Sequence, residues 1–329
     1  GHHLALNWNL GEEINDASTA QKQAWAQYVY DTDPYHHHMV IHNGNNHYEL
    51  MGSASKLTGF SLQTNLEDFS NVHSRTLDYL TRSVSAGKPW VVACDEPGDA
   101  SHALRPVGDT GSSWEDGRKN ALWGNIMAGG AGCEFYFGYQ HAHSDLTCQD
   151  WRSRDGFWDY CRYALEFFEA NSVPFWDMVN DNSLSTASND YCFYKAGHTY
   201  LVYLKNGGTT SLNLSGTAGS YVVRWYDPRN GGSLQVGSVA TVTGGGTVNL
   251  GTAPTATGSD WLVFVTLGLP GQNFPPVVDA GPDQTQVLVP GNELSVVLDG
   301  SAVDDGLPTN GVLRIRWSQV SGPSGVVFG

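Results

Sequence analysis

The chain has 329 residues, of which 40% are hydrophobic and 12% aromatic, and its formal net charge is −16 at pH 7. This length exceeds one ordinary core, so two or three domains are expected, and the apolar content argues against disorder. The negative charge argues against nucleic acid or an anionic membrane surface as a partner, and no apolar run reaches the roughly 20 residues of a membrane span.

Residues 1 to about 178 alternate short apolar runs with amphipathic stretches. The strand candidates are 4–10, 39–43, 60–64, 89–95 and 132–138, and the helix candidates are 18–30, 70–86, 118–128 and 155–170. Alternation of this kind is typical of βα units around a parallel sheet. Five strands are too few for a closed barrel of eight, so we expect the C-terminal portion of a (β/α)8 TIM barrel, about strands 4–8, at 1–178.

Helical periodicity disappears from about residue 183 onwards. Strand-like runs at 200–204, 221–226 and 261–265 are separated by clusters of Gly, Ser, Thr and Asn. This pattern predicts an antiparallel β-sandwich at 179–270, an accessory domain without chemistry of its own that folds independently. A linker rich in Pro and Gly then leads to a shorter β segment, and 271–329 is assigned to a partial β domain.

Two strand candidates end abruptly on acidic pairs, Glu12-Glu13 and Asp95-Glu96. The carboxyl ends of parallel barrel strands converge, so the two pairs are expected to face one point. Glycoside hydrolysis needs two carboxyl groups beside one bond, one to protonate the leaving oxygen and one to act at the sugar carbon. Either pair alone would be an ordinary solvated loop, but their matching placement favours catalysis.

The residues around the acidic pairs resemble motifs of clan A glycoside hydrolases. Residues 8–13, Trp-Asn-Leu-Gly-Glu-Glu, resemble the strand-4 acid/base motif Trp-x-Leu-Gly-Asn-Glu. The resemblance implies that Glu13 is the acid/base and that Glu12 stands where Asn is usual, which leaves open that Glu12 is the acid. Residues 91–97 resemble the strand-7 motif, which implies Glu96 as the nucleophile. Glu12 and Asp95 are the alternates, and either would otherwise tune the pKa of the acid.

The rest of the chain carries further resemblances. Residues 118–139 are similar to the last helix and strand of bacterial glycosidases related to apiosidases, which have a collagen-binding-like C-terminal domain. This resemblance covers roughly 1–265 and implies a retaining hydrolase of a poly- or oligosaccharide. Residues 276–283 and 317–319 resemble a polycystic-kidney-disease-type immunoglobulin-like repeat, which implies a partial domain of that kind at the C-terminal end.

Sugar sites combine aromatic rings with hydrogen-bonding side chains. The candidates for substrate contact lie at strand ends or in the loops that follow them: Trp8, His42, Asn43, Gln63, Tyr136, Tyr139, His141 and Trp151. Core packing or an ordinary loop contact would explain each of them, taken alone, equally well.

Three clusters raise the question of a metal ion. The histidines at 36–38 precede a strand, on the face opposite the expected site, and sugar contacts explain the His and Asp residues at 141–145 equally well. The Asp-Asp-Gly sequence at 304–306 favours a turn over a calcium site. The chain also lacks a nucleophile elbow and a phosphate-binding loop. We therefore predict neither a metal nor a cofactor.

The five cysteines form no CxxC pair, and at least one thiol must stay unpaired within the chain. Cys148 and Cys161 are a candidate disulfide that the sequence leaves undecided. The chain lacks an initiator Met and begins and ends in strand-like runs, so we expect a fragment of a longer protein. That protein would be extracellular or periplasmic, with its signal peptide lost with the N-terminus. The fragment alone is expected to be poorly active.

A rival hypothesis belongs to a different functional class. The chain would then be a non-catalytic adhesive module, whose β domains bind carbohydrate or matrix protein while the α/β portion is inactive. Under the first hypothesis the partner is a carbohydrate substrate, with polysaccharide or matrix contact through the β domains. Neither hypothesis involves nucleic acid or a membrane.

Overall fold

A computed structural model describes residues 6–106, 114–134, 136–147, 149–268, 276–281, 284–287, 295–303, 313–319, 321–322 and 326–327. The fold joins a mixed α/β portion to an antiparallel β portion, as the change in sequence pattern predicts. No helix in the described part of the chain is both long and apolar enough to cross a membrane.

Four parallel strands form the centre of the α/β portion: β1 (Asn7–Asn9), β2 (His38–Val40), β3 (Gly59–Gln63) and β4 (Val91–Glu96). β1 pairs with β2 and β3 with β4, and a parallel bridge between His42 and Ser61 links the two pairs. The strands thus follow one another across the sheet in chain order.

The strand predicted at 132–138 is much shorter than expected. Within the described residues it consists of one parallel bridge, between Cys133 and Cys94. Gly132 and Gly138 have φ angles of 102° and 60°, which are outside the extended region, so the backbone cannot continue as a strand through them.

The helices pack on one face of this sheet. They are α1 (Thr19–Thr32), α2 (Val72–Ser85), α3 (Trp114–Asp116), a π-helix (Gly117–Leu122), α4 (Trp123–Met127) and α5 (Asp155–Ala170). A capping box explains the start of α1, because the Ser18 hydroxyl accepts from the Gln21 amide and the Gln21 side chain accepts from the Ser18 amide at 2.9 Å. The predicted helix at 118–128 is divided between the π-helix and α4.

Alternation along the strands separates the core from the opposite face. Met39, Ile41, Phe60, Leu62, Val92 and Cys94 belong to one buried apolar cluster with residues of α1 and α2. Because side chains of successive strand residues point to opposite faces, Ser61 and Gln63 must lie on the other side of β3. The second face of the sheet is therefore the one that presents polar groups.

The antiparallel portion contains a sheet of six strands in the order β10-β9-β12-β7-β6-β5. Its strands are β5 (Val179–Asn180), β6 (Tyr191–Lys195), β7 (Thr199–Leu204), β9 (Ser220–Tyr226), β10 (Thr241–Thr243) and β12 (Trp261–Leu267). A separate pair, β8 (Thr209–Asn213) with β11 (Thr247–Thr252), covers one face. Tyr200, Val202 and Leu204 pack towards this pair.

The other face of the six-stranded sheet packs on the α/β portion. Leu201 and Tyr203 of β7 share a buried cluster with Trp123 of α4 and Phe167 of α5. Trp123 stacks on Tyr203 with ring centroids 5.4 Å apart. Every residue of β7 is consequently buried. Independent folding of this region stays a prediction, and a sheet with both faces covered argues that it depends on its neighbour.

A short antiparallel pair, β13 (Val277–Asp279) with β14 (Ser301–Val303), lies in the predicted immunoglobulin-like region. The immunoglobulin-like assignment stays a prediction, and the candidate calcium turn at 304–306 lies outside the described residues. Cys161 is a free thiol, whereas Cys148 is not among the described residues.

Candidate active site

An irregular register between β3 and β4 determines where two carboxyl groups point. Ser61 lies opposite Ala93, but Gln63, two residues later, lies opposite Glu96, so β4 contains one extra residue. In a β-bulge of this kind two residues of one strand oppose one residue of the other. The bulge therefore places both Asp95 and Glu96 on the polar face, beside Ser61 and Gln63.

Glu96 is buried and held from two sides. Its Oε1 accepts a hydrogen bond from Gln63 Nε2 at 2.7 Å, and its Oε2 lies 3.0 Å from His42 Nε2. Only 5% of Glu96 is exposed. The Asn43 side chain fixes the strand end that carries Gln63, since its Oδ1 accepts from the Gln63 amide at 2.6 Å. Gln63 and His42 thus touch the predicted nucleophile, whereas Asn43 acts through Gln63.

His42 lies between Glu96 and Ser61. Its Nδ1 is 2.8 Å from Ser61 Oγ, and the residue is almost fully buried. Burial by itself would lower the pKa of His42, but contact with Glu96 and the charges of Glu96, Asp95 and Glu12 outweigh it, so the pKa is raised. The surroundings therefore favour the imidazolium form, which is a donor at both ring nitrogens.

Asp95 has the environment of a carboxyl group that titrates near neutral pH. Burial raises the pKa of Asp95 to about 6, a hydrogen bond with Ser61 opposes this rise, and the charge of Glu134 adds to it. Smaller contributions come from His42, which lowers the pKa, and Glu96, which raises it. Asp95 thus differs in protonation behaviour from an ordinary surface aspartate.

Glu12 is the member of the first acidic pair that reaches this group. A carboxylate oxygen of Glu12, a ring nitrogen of His42 and a carboxylate oxygen of Glu96 all lie within 4.8 Å of one another. Glu12 is exposed while the other two are buried, so Glu12 stands on the open side of the site.

Glu13, the acid/base implied by the resemblance, follows on a sharp turn. Its φ of 50° is left-handed, and its carbonyl accepts from the Asn15 amide at 2.7 Å. Glu13 is exposed and is not among the described groups that gather around His42 and Glu96. The structure therefore brings Glu12, the alternate residue, to Glu96.

Donor atoms such as those of Glu12, His42 and Glu96 can bind a divalent cation. A ligating imidazole must be unprotonated, however, whereas the surrounding carboxylates favour protonated His42. We therefore treat the group as two carboxyl groups around His42 and assign no metal to it.

Tyr136 and Tyr139 lie beside this group. Burial, then the charge of Glu96 and then the neighbouring Tyr139 raise the pKa of Tyr136. Tyr139 is largely exposed. The Tyr136 phenol is thus close enough to interact with the predicted nucleophile, and Tyr139 extends the same surface towards solvent.

Other candidates for sugar contact have different positions. The Trp8 indole donates to Asp33 Oδ2 at 3.0 Å and lines a separate cavity of about 450 Å³ with Tyr28 and Val29 of α1. Trp8 therefore lies on the helix-covered side of the sheet. Trp151 is exposed at the start of a 3₁₀ helix, and His141 is half-buried in the loop after Tyr139.

The histidines at 36–38 have separate partners. His37 Nδ1 lies 2.7 Å from Asp33 Oδ2, and His38 Nδ1 lies 2.7 Å from Thr58 Oγ1. His36 stacks on Tyr30 with centroids 3.9 Å apart. In the loop at 141–145, the Asp145 carboxylate accepts hydrogen bonds from the backbone amides of residues 137 and 138, so it stabilises the loop.

The comparisons with known proteins agree with this arrangement at the level of fold. One solved structure described as "Glycoside hydrolase" has a TM-score of 0.60 and 17% identity, with 79% of this chain and 64% of that chain covered. The fold is shared with glycoside hydrolases. A glycoside hydrolase family 5 structure from Bacteroides vulgatus ATCC 8482 has a TM-score of 0.57 and 18% identity, with 79% and 62% covered. The chain thus spans less than two thirds of either structure's length.

A protein-family model described as "Putative collagen-binding domain of a collagenase" matches residues 173–266. This range contains β5 to β11 and nearly all of β12, so the similarity lies in the antiparallel portion. No match was found among curated proteins.

Two residues of the site, Ser61 and Glu134, were not predicted from the sequence. Ser61 is two residues before Gln63, and strand alternation alone would have placed it on the same face. Glu134 immediately follows the bridge at Cys133, and its amide donates to the Cys94 carbonyl at 3.0 Å. Its influence on Asp95 depends on the neighbouring strand, so no local pattern indicates it.

Proposed function

We propose that this chain carries the catalytic residues of a retaining glycoside hydrolase that acts on a poly- or oligosaccharide. The observation that carries the proposal is Glu96, buried against Gln63 and His42, with the Glu12 carboxylate on its open side. Retaining enzymes hold their two carboxyl groups about 5–5.5 Å apart. A carboxylate oxygen of Glu12 lies within 4.8 Å of one of Glu96, and this proximity and the shared fold support the proposal.

In the proposed mechanism Glu96 attacks the anomeric carbon as the bond to the leaving oxygen breaks. Glu12 donates its proton to that oxygen, and a glycosyl ester of Glu96 forms. Glu12, now ionised, then removes a proton from water, and the resulting attack on the anomeric carbon releases Glu96. Gln63 orients Glu96 by donating to Oε1, and the His42 ring lies 3.0 Å from Oε2. Glu13 is the competing acid/base assignment.

We also propose that the parallel strands are about strands 4–8 of a (β/α)8 barrel. Their order across the sheet follows the chain, and apolar cavities border both edges. One cavity lies beside β1, and another of about 360 Å³ lies beside Cys133. On this proposal a longer protein with the remaining strands would be secreted and active, and the 329-residue chain would be poorly active.

The acid/base assignment can be tested in the longer protein with aryl glycosides of two kinds. A dinitrophenyl leaving group needs little protonation, whereas a poor leaving group such as methylumbelliferone needs the general acid. We expect Glu12→Gln to lower kcat/KM by about 10²–10⁴-fold for the poor leaving group and far less for the good one. Added azide, a nucleophile that needs no general base, should restore turnover of the dinitrophenyl substrate.

Glu13→Gln is the matched control, since it makes the same change one residue away. If Glu13→Gln shows the leaving-group dependence and Glu12→Gln does not, the assignment follows the sequence motif and our choice is wrong. Glu96→Gln should abolish turnover of both substrates, because an amide cannot form the glycosyl ester. A larger loss in Asp95→Asn than in Glu96→Gln would contradict the nucleophile assignment.

The second candidate function is binding of matrix protein or polysaccharide, and the family match at 173–266 favours it. Both faces of the six-stranded sheet are covered, so a ligand would have to bind its edges or loops. Pull-down of the 329-residue chain on immobilised collagen and on insoluble glycans tests this function. Two results together would favour the adhesive module. The chain would bind one of these materials equally well with Glu12→Gln or Glu96→Gln, and the longer protein would show no turnover.

A further inference from the structure

We propose that Asp95, Ser61 and His42 form a proton relay that keeps a proton on His42 Nε2, facing Glu96. The kinetic consequence of this inference rests on the proposed function, but the relay itself does not. Within it, Ser61 and Asp95 are positioning residues, since they act on Glu96 through His42.

The relay is a continuous line of contacts across three strands. His42, just after β2, places Nε2 3.0 Å from Glu96 Oε2 and Nδ1 2.8 Å from Ser61 Oγ. Ser61, on β3, is 1% exposed, and its hydroxyl lies on the same face of the sheet as the Asp95 carboxyl of β4, whose pKa it lowers. The hydroxyl group therefore has a ring nitrogen on one side and a carboxyl group on the other.

A hydroxyl group in this position permits two arrangements with the same number of protons. In the first, imidazolium His42 carries a proton on Nε2, 3.0 Å from Glu96, and donates from Nδ1 to Ser61, and Ser61 donates to ionised Asp95. In the second, protonated Asp95 donates to Ser61, Ser61 donates to Nδ1, and neutral His42 still carries its proton on Nε2, beside Glu96. Moving one proton from Nδ1 to Ser61, and the Ser61 proton to Asp95, interconverts them without changing the net charge.

Both arrangements keep a proton on His42 Nε2, beside Glu96. If the shared proton is lost to solvent, that nitrogen can lose its proton as well. Ser61 then has one proton for two acceptors, ionised Asp95 and Nδ1 of neutral His42. If Ser61 donates to Asp95, the proton of His42 resides on Nδ1, and an unprotonated Nε2 lies 3.0 Å from the Glu96 carboxylate. The shared proton therefore decides whether His42 presents a positive or a neutral group to the proposed nucleophile.

The surrounding charges favour keeping this proton. Glu12 from the loop after β1, Glu96 from β4 and Glu134 beyond Cys133 all add negative potential around His42 and Asp95. Asp95 Oδ1 is also buried and has no hydrogen-bond partner among the described residues. A buried, unpartnered oxygen is less costly in a neutral carboxyl group than in an ionised one. The raised pKa values of His42 and Asp95 agree with this account.

The test is ¹⁵N NMR of the histidine side chains in the 329-residue chain, with His42→Gln to assign the His42 signals. In the unchanged chain we expect Nε2 to stay protonated through neutral pH. Ser61→Ala should lower the apparent pKa of His42 by about one unit, the effect of losing one hydrogen bond to the charged form. Ser83→Ala is the control, because Ser83 is equally buried and bonds the Leu80 carbonyl at 2.9 Å, away from the site.

Asp95→Asn provides a second, independent variant, since an amide cannot take the shared proton. It should shift His42 in the same direction, and the double variant with Ser61→Ala should shift it no further, because both changes cut one chain of contacts. Additive shifts, or a His42 titration that neither single variant changes, would overturn the relay. If Ser61→Ala does not fold, the Asp95→Asn result alone decides.

A kinetic measurement separates the relay from the proposed function. In the longer protein, Ser61→Ala should move the basic limb of the kcat/KM–pH profile to lower pH, whereas Ser83→Ala should not. NMR shifts as expected, in a protein that hydrolyses no aryl glycoside, would retain the relay and reject the glycosidase. Hydrolysis of aryl glycosides, together with a His42 titration that Ser61→Ala leaves unchanged, would reject the relay and retain the glycosidase.

Discussion

The buried ion pair between Arg118 and Asp260 provides a sharp test of how the two portions of the chain are joined. Arg118 Nε and Nη2 donate to the two Asp260 carboxylate oxygens at 2.9 and 2.7 Å, and the Tyr203 hydroxyl donates to Oδ2 at 2.6 Å. Both charged side chains are no more than 2% exposed. Arg118 comes from the π-helix, whereas the other two residues belong to the antiparallel portion.

Arg118→Met would leave the Asp260 carboxylate buried with Tyr203 as its remaining donor. Removing one partner of a buried pair costs about 3–5 kcal/mol, because the other charge stays desolvated. Methionine retains much of the apolar volume and Tyr203 retains one bond, so we expect a loss near the lower limit, about 3 kcal/mol. At about 2–4 °C per kcal/mol for units of 150–250 residues, the Tm should fall by roughly 6–12 °C.

Two further variants make the measurement specific. Arg118→Met combined with Asp260→Leu should recover most of the loss, since apolar replacement of a whole buried pair is often neutral or stabilising. Arg162→Met is the matched control, because Arg162 pairs with Asp159 and Glu166 on the exposed side of α5. An exposed pair of this kind contributes about 0–1 kcal/mol.

Urea and thermal denaturation, followed by circular dichroism and tryptophan fluorescence, would provide these values. The cluster shared by α4, α5 and the six-stranded sheet predicts that both portions unfold in one transition. A loss in Arg118→Met within about 0.5 kcal/mol of that in Arg162→Met would refute the reasoning. Two separated transitions in the unchanged chain would instead support the independent sandwich predicted from the sequence.

Two other predictions concern pH and metal ions. Burial raises the pKa of Asp190 to about 6 from 3.8, so the folded chain holds a proton that the unfolded chain releases between about pH 4 and 6. Stability should therefore fall as pH rises through that window. The Tm of Asp190→Asn, measured relative to that of the unchanged chain, should increase over the same window. A Tm difference that does not depend on pH would contradict the burial argument. Prolonged treatment of the longer protein with EDTA should leave hydrolysis unchanged, since the carboxylates around His42 raise its pKa and so favour the imidazolium form, which cannot bind a metal; a loss reversed by a divalent cation would show that the Glu12, His42 and Glu96 group binds metal.

Local patterns in the sequence predict the order and type of most elements. The helix predicted at 155–170 has those same limits in α5, and strand candidates 60–64 and 89–95 correspond to β3 and β4 within two residues. These elements follow from side-chain periodicity and from the residues that end them, both of which are properties of neighbouring residues. The placement of Gln63 and Glu96 at strand ends was predictable for the same reason.

The direction of side chains beyond a strand end was not predictable in this way. Glu12 and Glu13 differ in sequence by one position, but Gly11 at φ 134° and Glu13 at φ 50° turn the backbone so that Glu12 reaches His42. The position of Trp8 has a related cause. Its side chain lies on the face of the sheet that packs against α1, and there it contacts Asp33. Neither turn nor layer is encoded by the residue types alone.

The sequence by itself therefore determined which strands carry carboxylates at their ends, because alternating apolar residues and abrupt acidic pairs are local features. The tertiary structure decided that Glu12 meets Glu96, through the turn at Gly11 and Glu13 and through a bulge in β4 that puts Glu96 on the polar face, and it placed Ser61 beside His42 on the same face as Asp95. It also paired Arg118 with a carboxylate far along the chain. Contacts of this kind depend on how separate strands align, and that alignment is set by packing over the whole core.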